Sequence, residues 1–180
     1  METEQELLDA IRSGERTAWR RLYERYSGYT MAIAQRYIPA CDDVHDVMQD
    51  SFVKILTTIG EFDYRGEGSL KNWVSRIVAN KAIDYIRQKE RINFVATIPD
   101  EPDEEVPEME DIPPDILYAL IKRLPANYRL VLNLFVFEQR SHKEIARLLG
   151  IKENSSASIF LRAKKMLGKM VRDYLNEQTI

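Results

Sequence analysis

The chain has 180 residues, 26 Lys plus Arg against 29 Asp plus Glu, and a single cysteine, Cys41. That length admits one domain or two small ones, and the lone cysteine excludes an internal disulfide framework and fits a reducing compartment. No apolar run approaches the roughly 20 residues of a membrane span, and the opening Met1-Glu2-Thr3-Glu4-Gln5-Glu6 is too acidic for a signal peptide, so a cytoplasmic protein without membrane insertion is expected.

Apolar periodicity is helical throughout, with no alternating strand segment, and the predicted fold class is all-α. Thr3 and Glu6 have capping-box spacing, so a short first helix starts after Thr3 and stops at Gly14. A second, from about Glu15 to Tyr37, buries Ala18, Trp19, Leu22, Tyr26, Tyr29, Ile33 and Tyr37, and Pro39 ends it. A third, from about Asp43 to Ile59, turns Val44, Val47, Met48, Phe52, Ile55 and Ile59 inward, and Gly60 stops it. After a loop with Tyr64, Arg65, Gly66 and Gly68, Ser69 is expected to cap a fourth, basic helix reaching Arg91, with Leu70, Trp73, Val74, Ile77, Ile83 and Ile86 on its apolar face.

From Ile92 to Asp115 the chain carries nine acidic residues, five prolines and no Lys or Arg. This composition predicts an extended or disordered linker. Removing its nine acids from the total leaves 20 against 26 basic residues, so the charge outside the linker is +6 although the whole chain stands at −3. The 64 residues from Leu117 to Ile180 hold 12 basic and 5 acidic residues, net +7, which suits a polyanionic partner. The expected organisation is therefore a helical domain over 1–91, an acidic Pro-rich linker over 92–113, and a second helical domain over 114–180.

In that second domain a short helix runs from Pro114 to Leu124, and another starts at Pro125 and continues to about Glu138. Ser141-His142-Lys143-Glu144-Ile145-Ala146-Arg147-Leu148-Leu149-Gly150-Ile151 then reads as the first helix and turn of a helix-turn-helix within a four-helix domain. Ser141 and Glu144 form a capping box, small Ala146 permits close crossing, and Gly150 permits a left-handed turn. The second helix of such a motif lies in the DNA major groove.

Two further patterns carry chemistry. Asp42, Asp46, Gln49 and Asp50 form a negative stripe on one helix face, which suits a basic protein helix and repels DNA. Asn80, Asp84 and Arg87 share a face that bases can meet, while Arg76, Lys81 and Arg91 are placed to contact phosphates. His45 beside Cys41, Asp42 and Asp46 has metal-like spacing but lacks a third strong ligand, so no metal and no cofactor is expected. No Gly-rich phosphate loop or nucleophile elbow is present, and nothing in the sequence argues for catalysis.

Asp43-Val44-His45-Asp46-Val47-Met48-Gln49-Asp50-Ser51-Phe52, Trp73 through Asn80-Lys81-Ala82-Ile83-Asp84-Tyr85-Ile86-Arg87, Leu124-Pro125, Ser141 through Ile151, and Arg162-Ala163-Lys164 together resemble, in order, the motifs of bacterial sigma factors of the extracytoplasmic-function (ECF) group. The resemblance implies a promoter-directing subunit that binds RNA polymerase core through Asp42, Asp46, Gln49 and Asp50. It implies minus-10 DNA contacts from Arg76, Asn80, Lys81, Asp84, Arg87 and Arg91, with an unstacked base captured by the loop from Phe62 to Gly68, where Phe62 and Tyr64 stand. Minus-35 contacts fall to His142, Ser155, Ser158, Arg162 and Lys165. The family also implies an anti-sigma partner, and it implies that the acidic linker threads near the template and RNA-exit path as a nucleic-acid mimic.

The chain departs from the family at Asn154-Ser155-Ser156-Ala157-Ser158-Ile159, where a Gly-Thr-Val-Lys-Ser-Arg type of run is usual; Ala157 and Ile159 remove two basic contacts. Trp73 reads as core rather than pocket, because its spacing matches Leu70 and Ile77. Two alternatives stay open on the residues alone: a conventional dimeric helix-turn-helix regulator that does not dock on polymerase, and a protein-binding adaptor.

Overall fold

A computed structural model of the chain describes residues 2–89 and 112–178. The expected linker lies outside the described residues from 92 to 111, as does Arg91. The described residues are helical with no strand, and the chain divides into two compact units, Met1–Tyr85 and Ile86–Ile180.

In the first unit, α1 (Glu4–Arg12), α2 (Arg16–Tyr37) and α3 (Cys41–Thr58) are followed by a 3-10 turn (Ile59–Glu61) and by α4 (Ser69–Lys89), which runs past the unit's boundary. The Thr3 capping box forms: the Thr3 hydroxyl accepts from the Glu6 amide at 3.2 Å and the Glu6 carboxylate accepts from the Thr3 amide at 2.8 Å. Leu7, Leu8 and Ile11 seat α1 in a core completed by Leu22, Tyr26, Ile33 and Tyr37 of α2 and Val44, Val47, Met48, Phe52 and Ile55 of α3. Burial of each such side chain contributes roughly 1.5–3 kcal/mol, before conformational entropy opposes it. Trp19 is only half-buried and Tyr29 is exposed, so the inward face of α2 is narrower than periodicity suggests.

The start of α4 corrects an expectation. The Ser69 hydroxyl accepts a hydrogen bond from the Arg65 amide at 3.2 Å. The amides at the beginning of the helix are satisfied instead by a carboxylate from α1. Glu4 accepts from the amides of Gly68 (2.9 Å), Leu70 (3.0 Å) and Lys71 (3.0 Å), and from the Tyr26 hydroxyl (2.9 Å). A buried carboxylate is costly unless its lone pairs are filled, and here four donors fill them at a helix N-terminus, where negative charge is favoured. Burial, and after it the bond to Glu4, pushes the Tyr26 phenol well above its ordinary pKa.

The second unit comprises α5 (Pro114–Arg123), α6 (Ala126–Leu132), a π-helical turn that extends α6 (Asn133–Phe137), α7 (His142–Leu149) and α8 (Glu153–Gln178). α5, α6 and α7 all pack on α8. The core is Leu120, Ile121, Leu124, Leu130, Val131, Leu134, Ile145, Leu149, Ile159, Ala163, Leu167 and Val171. Arg129 is buried, and its guanidinium donates to the carbonyls of Lys122 (3.2 Å) and Leu124 (2.8 Å), placing a cation on the C-terminal carbonyls of α5. The π turn was not visible in the periodicity; in it the Glu138 amide reaches back to the Asn133 carbonyl at 3.1 Å.

Candidate nucleic-acid interface

The first unit presents the exposed face of α4 continuous with a cavity. Arg76, Asn80, Asp84 and Arg87 are all exposed and recur at three- and four-residue steps along that face. At its N-terminal end opens a cavity of about 360 Å³, lined by Glu61, Phe62, Asp63, Arg65, Ser69, Asn72, Trp73 and Arg76. Its volume falls within the roughly 300–1,000 Å³ of small-ligand pockets.

Phe62 and Trp73 form one aromatic wall of the cavity, with ring centroids 5.0 Å apart at 42°. Asn72, Ser69 and two arginines supply hydrogen-bonding and charged groups beside that wall. The combination suits a flat polar ligand held by stacking and edge hydrogen bonds. The expectation that Trp73 is core is therefore corrected: it is half-buried and lines the cavity, because the loop from Phe62 closes over this part of α4. Tyr64, expected in the pocket, does not line it; its hydroxyl bonds Glu67 at 3.4 Å, and burial followed by the Glu67 charge raises its pKa.

On α3, Asp42, Asp46, Gln49 and Asp50 are all exposed on one face, and Val53 and Leu56 extend the exposed surface toward the helix C-terminus. That apolar continuation was not anticipated. Lys81 of α4 reaches Asp50 at 3.8 Å, so the acidic face adjoins the basic one there. His45 Nδ1 lies 3.0 Å from the Cys41 carbonyl oxygen.

In the second unit the helix-turn-helix forms as the motif predicts. Ser141 caps α7 by accepting from the Glu144 amide at 3.3 Å, while Glu144 accepts from the Ser141 amide at 2.8 Å. Bonds from the Ser141 hydroxyl and then its amide hold the Glu144 carboxyl below its ordinary pKa. Gly150 takes the left-handed conformation (φ 71°) that the turn requires.

The exposed stripe of α8 is Asn154, Ser158 and Leu161; Ser155, Arg162 and Lys165 are half-buried beside it. Leu161 is 53% exposed and was missed by sequence reasoning, although its place three residues after Ser158 marked that face. Ile159 is buried core, so its apolar character serves packing. His142 is half-buried: its ring stacks on Phe135 (4.5 Å, 15°), and Nδ1 lies 3.0 Å from the buried Ser156 hydroxyl. It ties α7 to α8.

A family model for sigma-70 region 2 matches residues 22–92, and one for sigma-70 region 4 matches residues 115–167. The chain is 26% identical to an ECF RNA polymerase sigma-E factor of Haemophilus influenzae, over 94% of this chain and 96% of that relative. It is 27% identical to the ECF RNA polymerase sigma-E factor of Salmonella typhimurium, over 94% and 95%. Among solved structures, the sigma factor RpoE of Bartonella quintana, determined in complex with the anti-sigma factor NepR, aligns with a TM-score of 0.50 at 16% identity, covering 87% of this chain and 98% of that one. Fold and matches together define a helical protein with sigma-70 regions 2 and 4. The chain belongs to the sigma-70 family, in its ECF group.

Proposed function

We propose that this chain directs bacterial RNA polymerase core to two-element promoters and starts transcription there. In this reading the acidic face of α3, with Asp42, Asp46, Gln49 and Asp50, docks on a basic surface of the polymerase, and Val53 and Leu56 continue the contact. The exposed face of α4 follows the minus-10 strand, with Arg76 and Lys81 near phosphates and Asn80, Asp84 and Arg87 toward base edges. One extruded base enters the cavity and stacks on the Phe62–Trp73 wall. The helix-turn-helix of the second unit reads duplex minus-35 DNA through Ser155, Ser158, Arg162 and Lys165. The chain positions DNA, and bond formation is left to the polymerase.

The observation that carries this reading is the aromatic-walled cavity opening onto the exposed polar face of α4. A dimeric helix-turn-helix regulator gives neither the cavity nor the acidic stripe a use. The Bartonella relative was solved in complex with an anti-sigma factor, and a protein of that class is the expected partner here, in the cytoplasm where the polymerase is. No helix among the described residues is long and apolar enough to cross a membrane.

The test is co-elution of the purified chain with bacterial core polymerase on a sizing column. Wild-type protein is expected to co-elute and the Asp46→Lys/Asp50→Lys double variant to run alone. A wild-type chain that fails to join competent core overturns the proposal.

A further inference from the structure

Helix α1 precedes the residues matched by the region 2 family model, which begin at 22, and no role has yet been given to it. Yet its two ends grip the two ends of the loop that forms the cavity. At the first residue of α1, Glu4 is 2% exposed and holds the amides of Gly68, Leu70 and Lys71, which flank the cavity residue Ser69. At the last residue, Arg12 donates a 2.6 Å hydrogen bond to the carbonyl oxygen of Phe62, the aromatic residue at the other end of the loop. The Glu4 amide also donates to the Glu67 carboxylate at 3.2 Å.

The loop contains Gly66 at φ 110° and Gly68 at φ 89°, left-handed conformations, and its own bonds are short-range: the Arg65 amide to the Ser69 hydroxyl (3.2 Å), the Ser69 amide to the Gly66 carbonyl (3.0 Å) and the Tyr64 hydroxyl to Glu67 (3.4 Å). Those bonds shape the loop from within, while the bonds from α1 tie its two ends to the rest of the unit. The apolar residues Leu7, Leu8 and Ile11 would suffice to bury α1, so packing alone does not call for a buried carboxylate. A carboxylate with four donors is directional where apolar contact is not, and it fixes the first turn of α4 in position. Phe62 is also held by its stacking on Trp73 and by its amide bond to the Ile59 carbonyl (3.1 Å), and Arg12 adds a tie from α1, so this one short helix bonds to both sides of the cavity mouth.

We propose that α1 is a positioning brace for the base pocket, with Glu4 holding its α4 side and Arg12 its loop side, so that the N-terminal helix governs how strictly one base is accepted. This rests on the reading of the cavity as a base pocket.

The test uses the full chain bound to bacterial core polymerase. The wild-type holoenzyme first selects a promoter from a randomised pool. Partly opened probes of that promoter then carry each of the four bases in turn along the non-template minus-10 strand. At the captured position, Arg12→Ala and Glu4→Gln are each expected to cut the ratio of best to worst base by about tenfold, roughly the effect of losing one charge-assisted hydrogen bond. Arg12→Lys should restore much of the ratio, and binding to minus-35 duplex should not change in any variant. That split between base selectivity and duplex affinity is one that general loosening does not produce.

Arg12 is exposed, so Arg12→Ala carries the test alone if Glu4→Gln does not fold. Variants that keep the wild-type base ratio overturn the brace and leave the pocket standing. A wild-type holoenzyme with no single-position base preference removes the pocket, and the brace with it.

Discussion

Lys81 Nζ stands 3.8 Å from Asp50 Oδ2, joining the basic face of α4 to the acidic face of α3. The pair is solvent-exposed, Asp50 at 73%, so it contributes no more than about 0–1 kcal/mol to stability. On the proposed reading Asp50 faces the polymerase and Lys81 faces promoter DNA. The swapped variant Asp50→Lys/Lys81→Asp keeps the pair but presents each charge to the wrong partner. It is expected to melt like wild type and to lose both polymerase co-elution and promoter opening. A swapped chain that transcribes normally would show that neither residue faces a partner.

Phe62→Ala removes one side of the aromatic wall. Stacking of a base on an aromatic side chain is worth roughly 1–3 kcal/mol, so affinity for partly opened minus-10 probes should fall at least about fivefold with little change on minus-35 duplex. Fluorescence anisotropy on the two probes separates the effects.

Arg162→Ala is expected to weaken duplex minus-35 binding and to lower the steepness of its salt dependence by about one phosphate contact. A salt titration from low to physiological ionic strength measures both. Unchanged binding at low salt would remove Arg162 from the interface.

His142→Ala is expected to act on stability before it acts on sequence preference, because the ring is stacked on Phe135 and paired with Ser156. Thermal melting should register the loss of these contacts, roughly 1–3 kcal/mol. An unchanged melting temperature combined with altered promoter choice would return His142 to the role of DNA reader.

The Glu6 and Glu144 carboxyls are both held below the ordinary value of 4.5, Glu6 chiefly by the Thr3 amide and Glu144 chiefly by the Ser141 hydroxyl. A lowered folded-state pKa stabilises above the unfolded value, and that stabilisation is lost as pH falls through the folded pKa. Stability should therefore decline below about pH 4.5, and Glu6→Gln/Glu144→Gln should flatten the decline without removing it. Denaturant melts at pH 7 and pH 3.5 check the sign.

Features built from near neighbours were legible in the sequence. The Thr3 and Ser141 capping boxes, the left-handed Gly150 and the inward set of α3 all depend on residues within one or two helical turns, and all form. Glu4 was not legible, because its acceptors are filled by amides 64 to 67 positions away; a local reading gave the cap of α4 to Ser69. Trp73 shares the spacing of core residues, and only the closure of the loop over α4 makes it a cavity wall. His142 was placed at minus-35 DNA by the resemblance, and its packing on Phe135 was not legible because the π turn that brings Phe135 under it leaves no trace in apolar periodicity.

The central claim is that the chain gives core polymerase its promoter choice. Run-off transcription from a randomised promoter pool, with core polymerase alone and with core plus this chain, tests it most directly. The expected result is chain-dependent transcripts whose templates share two asymmetric elements, with lower transcript yield on Arg162→Ala and a less strictly selected opened-strand element on Phe62→Ala. Transcripts no different from those of core alone, with the chain binding palindromic duplex without polymerase, would contradict it.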